Sequence, residues 1–147
     1  MGRIEAVRRI DAPAARVFEV VSDVENFQRA VPQIVRVEFT TAQRRGVGTR
    51  FRETRRMGKG EATVELEVRE LVEGTRVRIV SDAGGTIWDT LFTVRALGPA
   101  QAELTMVMTD APYRLLARLA TPLIRPMVRK AVARDMDAVK AYCERGG

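Results

Sequence analysis

The sequence predicts an α+β domain in which a curved antiparallel sheet of seven strands wraps a long C-terminal helix. Three observations predict it. The middle of the chain alternates apolar and polar residues between glycine-containing turns, the signature of strands with one covered face. The last third, Pro112 to Glu144, repeats its apolar residues at helical spacing with no acidic or glycine interruption before Asp135. Two short helical segments lie between the first strand and the rest. About 30 helical residues span roughly 45 Å, so the terminal helix needs a broad apolar surface, which the strands supply.

Arg3 to Ile10 opens the chain as a strand with Ile4, Ala6, Arg8 and Ile10 on one face. Asp11-Ala-Pro13 ends it, and a proline in a first helical turn begins a short helix over about 13–21. Ser22-Asp-Val-Glu25 has the form of a capping box for a second short helix, which Pro32 closes. Ile34 to Thr40 and Thr49 to Arg56 read as strands, the latter with Phe51 and Glu53 on one face. Met57-Gly-Lys-Gly60 is a hairpin turn. Glu61 to Leu71 is the clearest strand, with Val64, Leu66 and Val68 inward and Glu65 and Glu67 outward. Val77 and Ile79 continue after Glu73-Gly74, and Asp82-Ala-Gly-Gly85 turns the chain again. Thr86 to Leu97 places Trp88, Thr90, Phe92 and Val94 together, and Ala102, Leu104, Met106 and Met108 share a face after Gly98-Pro99.

The terminal helix carries two apolar stripes. Tyr113, Leu116, Ala120, Leu123, Met127 and Ala131 form one and are expected to face the sheet; Val128, Val132, Met136, Val139 and Cys143 form the other. Pro122 and Pro126 interrupt the run, each removing a backbone donor. Either the helix kinks there, or a short helix ends near Ala120 and a second begins. The kink is favoured, because no glycine or polar cluster marks a break. Arg118, Arg125 and Arg129 are expected on the outer face.

At 147 residues the chain is long enough for one core, and residues 1–147 read as a single domain. Basic residues outnumber acidic ones 25 to 19, and the terminal helix from Arg114 onward holds eight of the former against three of the latter. A second basic cluster lies around Arg50, Arg52, Arg55 and Arg56. Such faces attract an anionic membrane surface or an acidic protein; without interleaved aromatics for base stacking, nucleic acid is not an expected partner. One cysteine precludes an intrachain disulfide framework, and the absence of histidine removes imidazole bases, Ser-His and Cys-His triads and the usual zinc sets. No metal or cofactor is called for. The N-terminal residues turn charged at once, with no signal-peptide core, and no apolar run reaches spanning length, so a cytoplasmic protein is expected.

The element order, with Ile10-Asp-Ala-Pro-Ala-Ala-Arg-Val-Phe18, Ser22-Asp23, Pro32, Val47-Gly-Thr49, Trp88-Asp-Thr-Leu-Phe92 and the amphipathic end, resembles the START / polyketide-cyclase superfamily (SRPBCC), the helix-grip fold of the birch pollen allergen. The resemblance covers nearly the whole chain. It implies a seven-stranded sheet gripping the last helix around a cavity for a lipid, sterol, quinone, polyketide or hormone. Some members are cyclases, dehydratases or aromatases, and the superfamily shares no catalytic set, so no catalytic residue is carried over.

Strand alternation and helical phase then give a candidate cavity wall: Arg8, Phe27, Phe51, Glu53, Leu66, Trp88, Phe92, Met106, Met108, Tyr113, Leu116, Ala120, Leu123 and Met127. Arg8 and Glu53 are charged residues on inward faces. They either pair with each other, lie at a sheet end open to water, or leave Arg8 to bind a ligand's acidic or carbonyl group. Asp110 reads as a helix cap and Tyr113 as a hydroxyl at the pocket mouth. The expected function is binding or transport of a hydrophobic small molecule. The alternatives are a cofactor-independent polyketide cyclase or dehydratase, using Glu53 or Asp110 as base with Tyr113 or Arg8 stabilising an enolate, and an interaction module docking through its basic faces on a membrane, ribosome or acidic protein.

Overall fold

In a computed structural model, which describes residues 2–145, the chain runs β1 (Gly2–Ile10), α1 (Ala14–Ser22), α2 (Val24–Ala30), β2 (Ile34–Phe39), β3 (Arg50–Met57), β4 (Gly60–Val72), β5 (Arg76–Ala83), β6 (Thr86–Gly98), β7 (Gln101–Pro112) and α3 (Leu115–Glu144). The seven strands form one antiparallel sheet in the order β1-β7-β6-β5-β4-β3-β2. Strands β2 to β7 are a meander of sequential neighbours, and β1 crosses to pair with β7.

Local chemistry sets the element ends. Pro13, extended at φ −60°, starts α1, and its carbonyl accepts the first helical amides. The cap of α2 is Asp23 rather than Ser22: its carboxylate accepts from the Glu25 and Asn26 amides at 3.0 and 3.2 Å, while Ser22 stays inside α1. Gly84 and Gly85, both at positive φ, make the tight β5–β6 turn. At Gly85 a side chain would also collide with Arg114 at the start of α3.

The helix α3 is one uninterrupted element of 30 residues with Pro122 and Pro126 inside it. The carbonyls these prolines leave without an amide belong to Arg118 and Pro122, both at exposed positions. Its phase differs from the expectation. Ala117, Thr121, Val132, Met136, Val139 and Cys143 are buried, so the second stripe and two small residues face inward; Leu116, Ala120 and Leu123 face solvent. The reason is close approach. The first half of α3 lies against the sheet end, where Thr121 meets Thr86 at 2.9 Å and the Arg125 guanidinium sits where a Gly2 side chain would be. Only small or polar side chains fit between such close backbones. Arg118 and Arg129 are exposed as expected, but Arg125 turns in to a carboxylate.

The packed core occupies one end of the molecule, where Ile10, Val17, Val20, Leu104, Met136 and Val139 are fully buried between β1, β7, α1 and the second half of α3. Under β3 to β6 the sheet curves away from the helix and leaves a hollow.

Candidate functional site

That hollow is a cavity of about 710 Å³ between the concave sheet face, α2 and residues 127–135 of α3. Strand register stacks its wall in rows. Phe51, Leu66, Ser81 and Trp88 are cross-strand neighbours on β3 to β6, and Ile79, Thr90 and Met108 form the next row. Phe92 and Met106 pair in a third, and Phe27 of α2 leans its ring on Phe92 with centroids 5.7 Å apart. On the helix side the apolar lining is Met127, Val128, Ala131 and Val132. Alternation produces this wall, since every second residue of each strand faces the cavity.

The buried carboxylates of the wall gather at one place. Glu53 and Arg55 share the inward face of β3, and Asp135 reaches them from α3. Arg55 Nε donates to Glu53 Oε1 at 2.6 Å and Nη1 donates to Asp135 Oδ1 at 3.0 Å, while Nη2 stands in ion-pair contact with Asp135 Oδ2 at 2.9 Å. Glu53 and Asp135 are both buried. Burial presses the Arg55 guanidinium toward neutrality, but its ion pairs and hydrogen bonds with Glu53 and Asp135 outweigh that and hold it firmly protonated. Two of its five N–H groups are used in these hydrogen bonds, and Arg55 lines the cavity, where a remaining N–H can donate to a carbonyl or enolate oxygen. The guanidinium fills the place a cation would take between the carboxylates. Among the described residues no cluster of three His, Cys, Asp or Glu has metal-binding geometry.

The residues read from sequence divide in two. Phe27, Phe51, Glu53, Leu66, Trp88, Phe92, Met106, Met108 and Met127 line the cavity. Arg8, Tyr113, Leu116, Ala120 and Leu123 do not. Arg8 is on the inward face but under α3, where its Nε donates to Asp137 Oδ1 at 2.7 Å, so it pairs with neither Glu53 nor a cavity ligand. The Tyr113 hydroxyl donates to Asp82 Oδ1 at 2.8 Å on the outside of the β5–β6 turn, and that hydrogen bond raises its pKa. Leu116, Ala120 and Leu123 point to solvent with the helix phase described above. Asp110 caps nothing. It makes a two-point ion pair with Arg125 at 2.9 and 2.8 Å and accepts from the Gly2 amide at 3.1 Å; hydrogen bonding from Arg125, against the opposing effect of burial, holds its carboxyl below the ordinary range.

Sequence reasoning missed Arg55 and Asp135 as site residues. The signals were there: Arg55 continues the alternation Phe51, Glu53, and Asp135 falls on the α3 face of Val128, Val132 and Val139.

Over residues 1–144 the sequence matches the family described as polyketide cyclase / dehydrase and lipid transport. The chain belongs to that family. It is a member of the START / polyketide-cyclase superfamily with the helix-grip fold, and the family supports binding of a hydrophobic small molecule or a polyketide-cyclase role. Among solved structures it is similar to the ZhuI aromatase/cyclase from Streptomyces sp. R1128, with TM-score 0.81 and 17% identity over 98% of this chain and 94% of that one. It is also similar to a START superfamily protein from Mycobacterium smegmatis, with TM-score 0.79 and 14% identity over 99% of both chains. A protein from Thermus thermophilus aligns with TM-score 0.79 and 17% identity, again over 99% of both chains. No curated protein matches the chain. No helix among the described residues is long and apolar enough to cross a membrane.

Proposed function

We propose that the chain is a single cytoplasmic domain, residues 1–147, that binds and carries a hydrophobic small molecule between sheet and helix. The observation that carries this reading is the cavity: about 710 Å³, lined by aromatic rings, methionines and aliphatic chains, with its buried carboxylates, Glu53 and Asp135, gathered around Arg55. A hollow of that size with a few convergent polar groups is the usual form of a small-ligand site. The Arg55 N–H groups orient a ligand oxygen, and the rows of Phe51, Leu66, Trp88 and Phe92 hold its apolar body. Native mass spectrometry of the protein purified from cells, followed by organic extraction, tests the reading. Cargo is expected in the wild type and missing from Leu66→Trp and Ala131→Trp, which fill the hollow from opposite walls. A wild type that carries nothing and takes up no fatty acid, quinone or polyketide ends the proposal.

One observation favours a second reading, a cofactor-independent cyclase or dehydratase on a polyketide-like substrate. A permanently charged guanidinium flanked by carboxylates in an apolar cavity pairs an enolate stabiliser with proton acceptors. Turnover of a poly-β-carbonyl substrate that Arg55→Gln loses, while cargo uptake persists, decides for this reading.

A further inference from the structure

The first half of α3 carries a solvent-exposed apolar surface. Leu115, Leu116, Leu119 and Leu123 are 73%, 79%, 66% and 81% exposed. At 100° per residue they share one side of the helix with Met127, opposite Ala117, Thr121 and Val132, which face the sheet. Large aliphatic side chains gathered in this way on a water-exposed helix mark a contact surface.

The charges around the stripe have one sign. From Ala111 to Arg134 the chain has six basic residues and no acidic one. Arg125 is neutralised by Asp110; Arg114, Arg118, Arg129, Lys130 and Arg134 are exposed. The stripe also leads to the cavity, because Met127, Lys130 and Arg134 stand at its rim. Across the opening the β3–β4 hairpin offers Arg56, exposed Met57 and Gly58.

We propose that this face docks on an anionic lipid bilayer, the leucine stripe and Met57 entering the headgroup region with the cavity mouth turned toward the acyl chains. An amphipathic helix with a basic border and aliphatic centre is the form that lies in a membrane interface. Basic residues near an anionic surface add to the attraction. A second copy of the chain is the poorer occupant, since a symmetric contact opposes five exposed cations to five more. An acidic protein answers the charges but not the four leucines. Loading or unloading of cargo at the bilayer rests on the cargo reading above; the docking itself does not.

Co-sedimentation with vesicles tests it, comparing equal parts phosphatidylglycerol and phosphatidylcholine with phosphatidylcholine alone. Binding is expected to the anionic vesicles and to fall as salt rises. Leu116→Glu with Leu123→Glu is expected to weaken it by roughly a hundredfold, and Arg118→Glu with Arg129→Glu by about tenfold or more. All four positions are exposed, so both variants are expected to fold, as circular dichroism checks. Uptake of N-phenylnaphthylamine in vesicle-free buffer separates the two readings. The leucine variant is expected to keep it while losing vesicles, and Leu66→Trp to do the reverse. No binding to anionic vesicles, binding that the leucine variant retains, or a dimer in sedimentation that this variant dissolves would each overturn the proposal. Loss of dye uptake in the wild type with vesicle binding intact would remove the cargo reading and leave the docking standing.

Discussion

Replacing Arg55 by methionine takes away the cation between Glu53 and Asp135 and leaves two buried carboxylates on either side of the place it held. Breaking a buried ion cluster at one member strands the rest, and the expected loss is about 3 kcal/mol or more. Urea unfolding checks it as a lower midpoint at unchanged slope. Adding Glu53→Gln and Asp135→Asn is expected to return much of the loss, because the stranded charges go with it. The Asp110–Arg125 pair makes a different prediction, about pH. Arg125 hydrogen bonds lower the Asp110 pKa in the folded state, so the pair's contribution is fully present above the unfolded aspartate value of about 3.9. It is lost as pH falls through the lower folded value. The stability gap between wild type and Asp110→Asn is therefore expected to be flat at neutral pH and to close below about pH 4. A gap that widens on acidification contradicts the pairing. Of the first cluster the sequence reading found only Glu53, and of the second it found Asp110 in the wrong role. Arg55 sits among Arg50, Arg52 and Arg56, where a residue that points inward looks like its solvated neighbours. Asp110 stands where a cap belongs, and nothing local announces a partner 15 residues on.

At the scale of elements, the strands were readable and the helix phase was not, for one physical reason. A strand with a single covered face has a period of two, and an error of one residue reverses every side chain, so Val64, Leu66 and Val68 on β4 leave no ambiguity. A helix with two apolar stripes offers two phases that differ by a fraction of a turn. Hydrophobicity favours the leucines inward, but the approach of α3 to the sheet end admits only Ala117 and Thr121. The prediction at this scale contrasts the two faces. Ala117→Leu is expected to destabilise by about 1–3 kcal/mol through overpacking, whereas Leu116→Gln is expected to stay within about 0.5 kcal/mol of wild type. Thermal unfolding of both variants checks it, and equal losses would return Leu116 to the interior.

For the whole molecule, the meander does more than surround a ligand. Each of β2 to β6 finds a partner in the next strand, and from β3 onward those pairings close over short turns as soon as the residues exist. β1 is different. Gly2 bonds to Asp110, 108 residues away, and Ile10 pairs with Ala102. The opening strand therefore waits, unpaired, through synthesis of nearly everything else, and its edge and the apolar residues Ile4 and Ile10 stay uncovered meanwhile. Closing so long a loop is slow compared with forming hairpins. Pulse-labelled hydrogen exchange during refolding is expected to protect the β3–β4 and β5–β6 hairpins before the β1 amides. A nascent chain stalled before β7 has emerged thus holds a strand with no place to go, and is the species that a chaperone or a neighbouring ribosome's chain meets first.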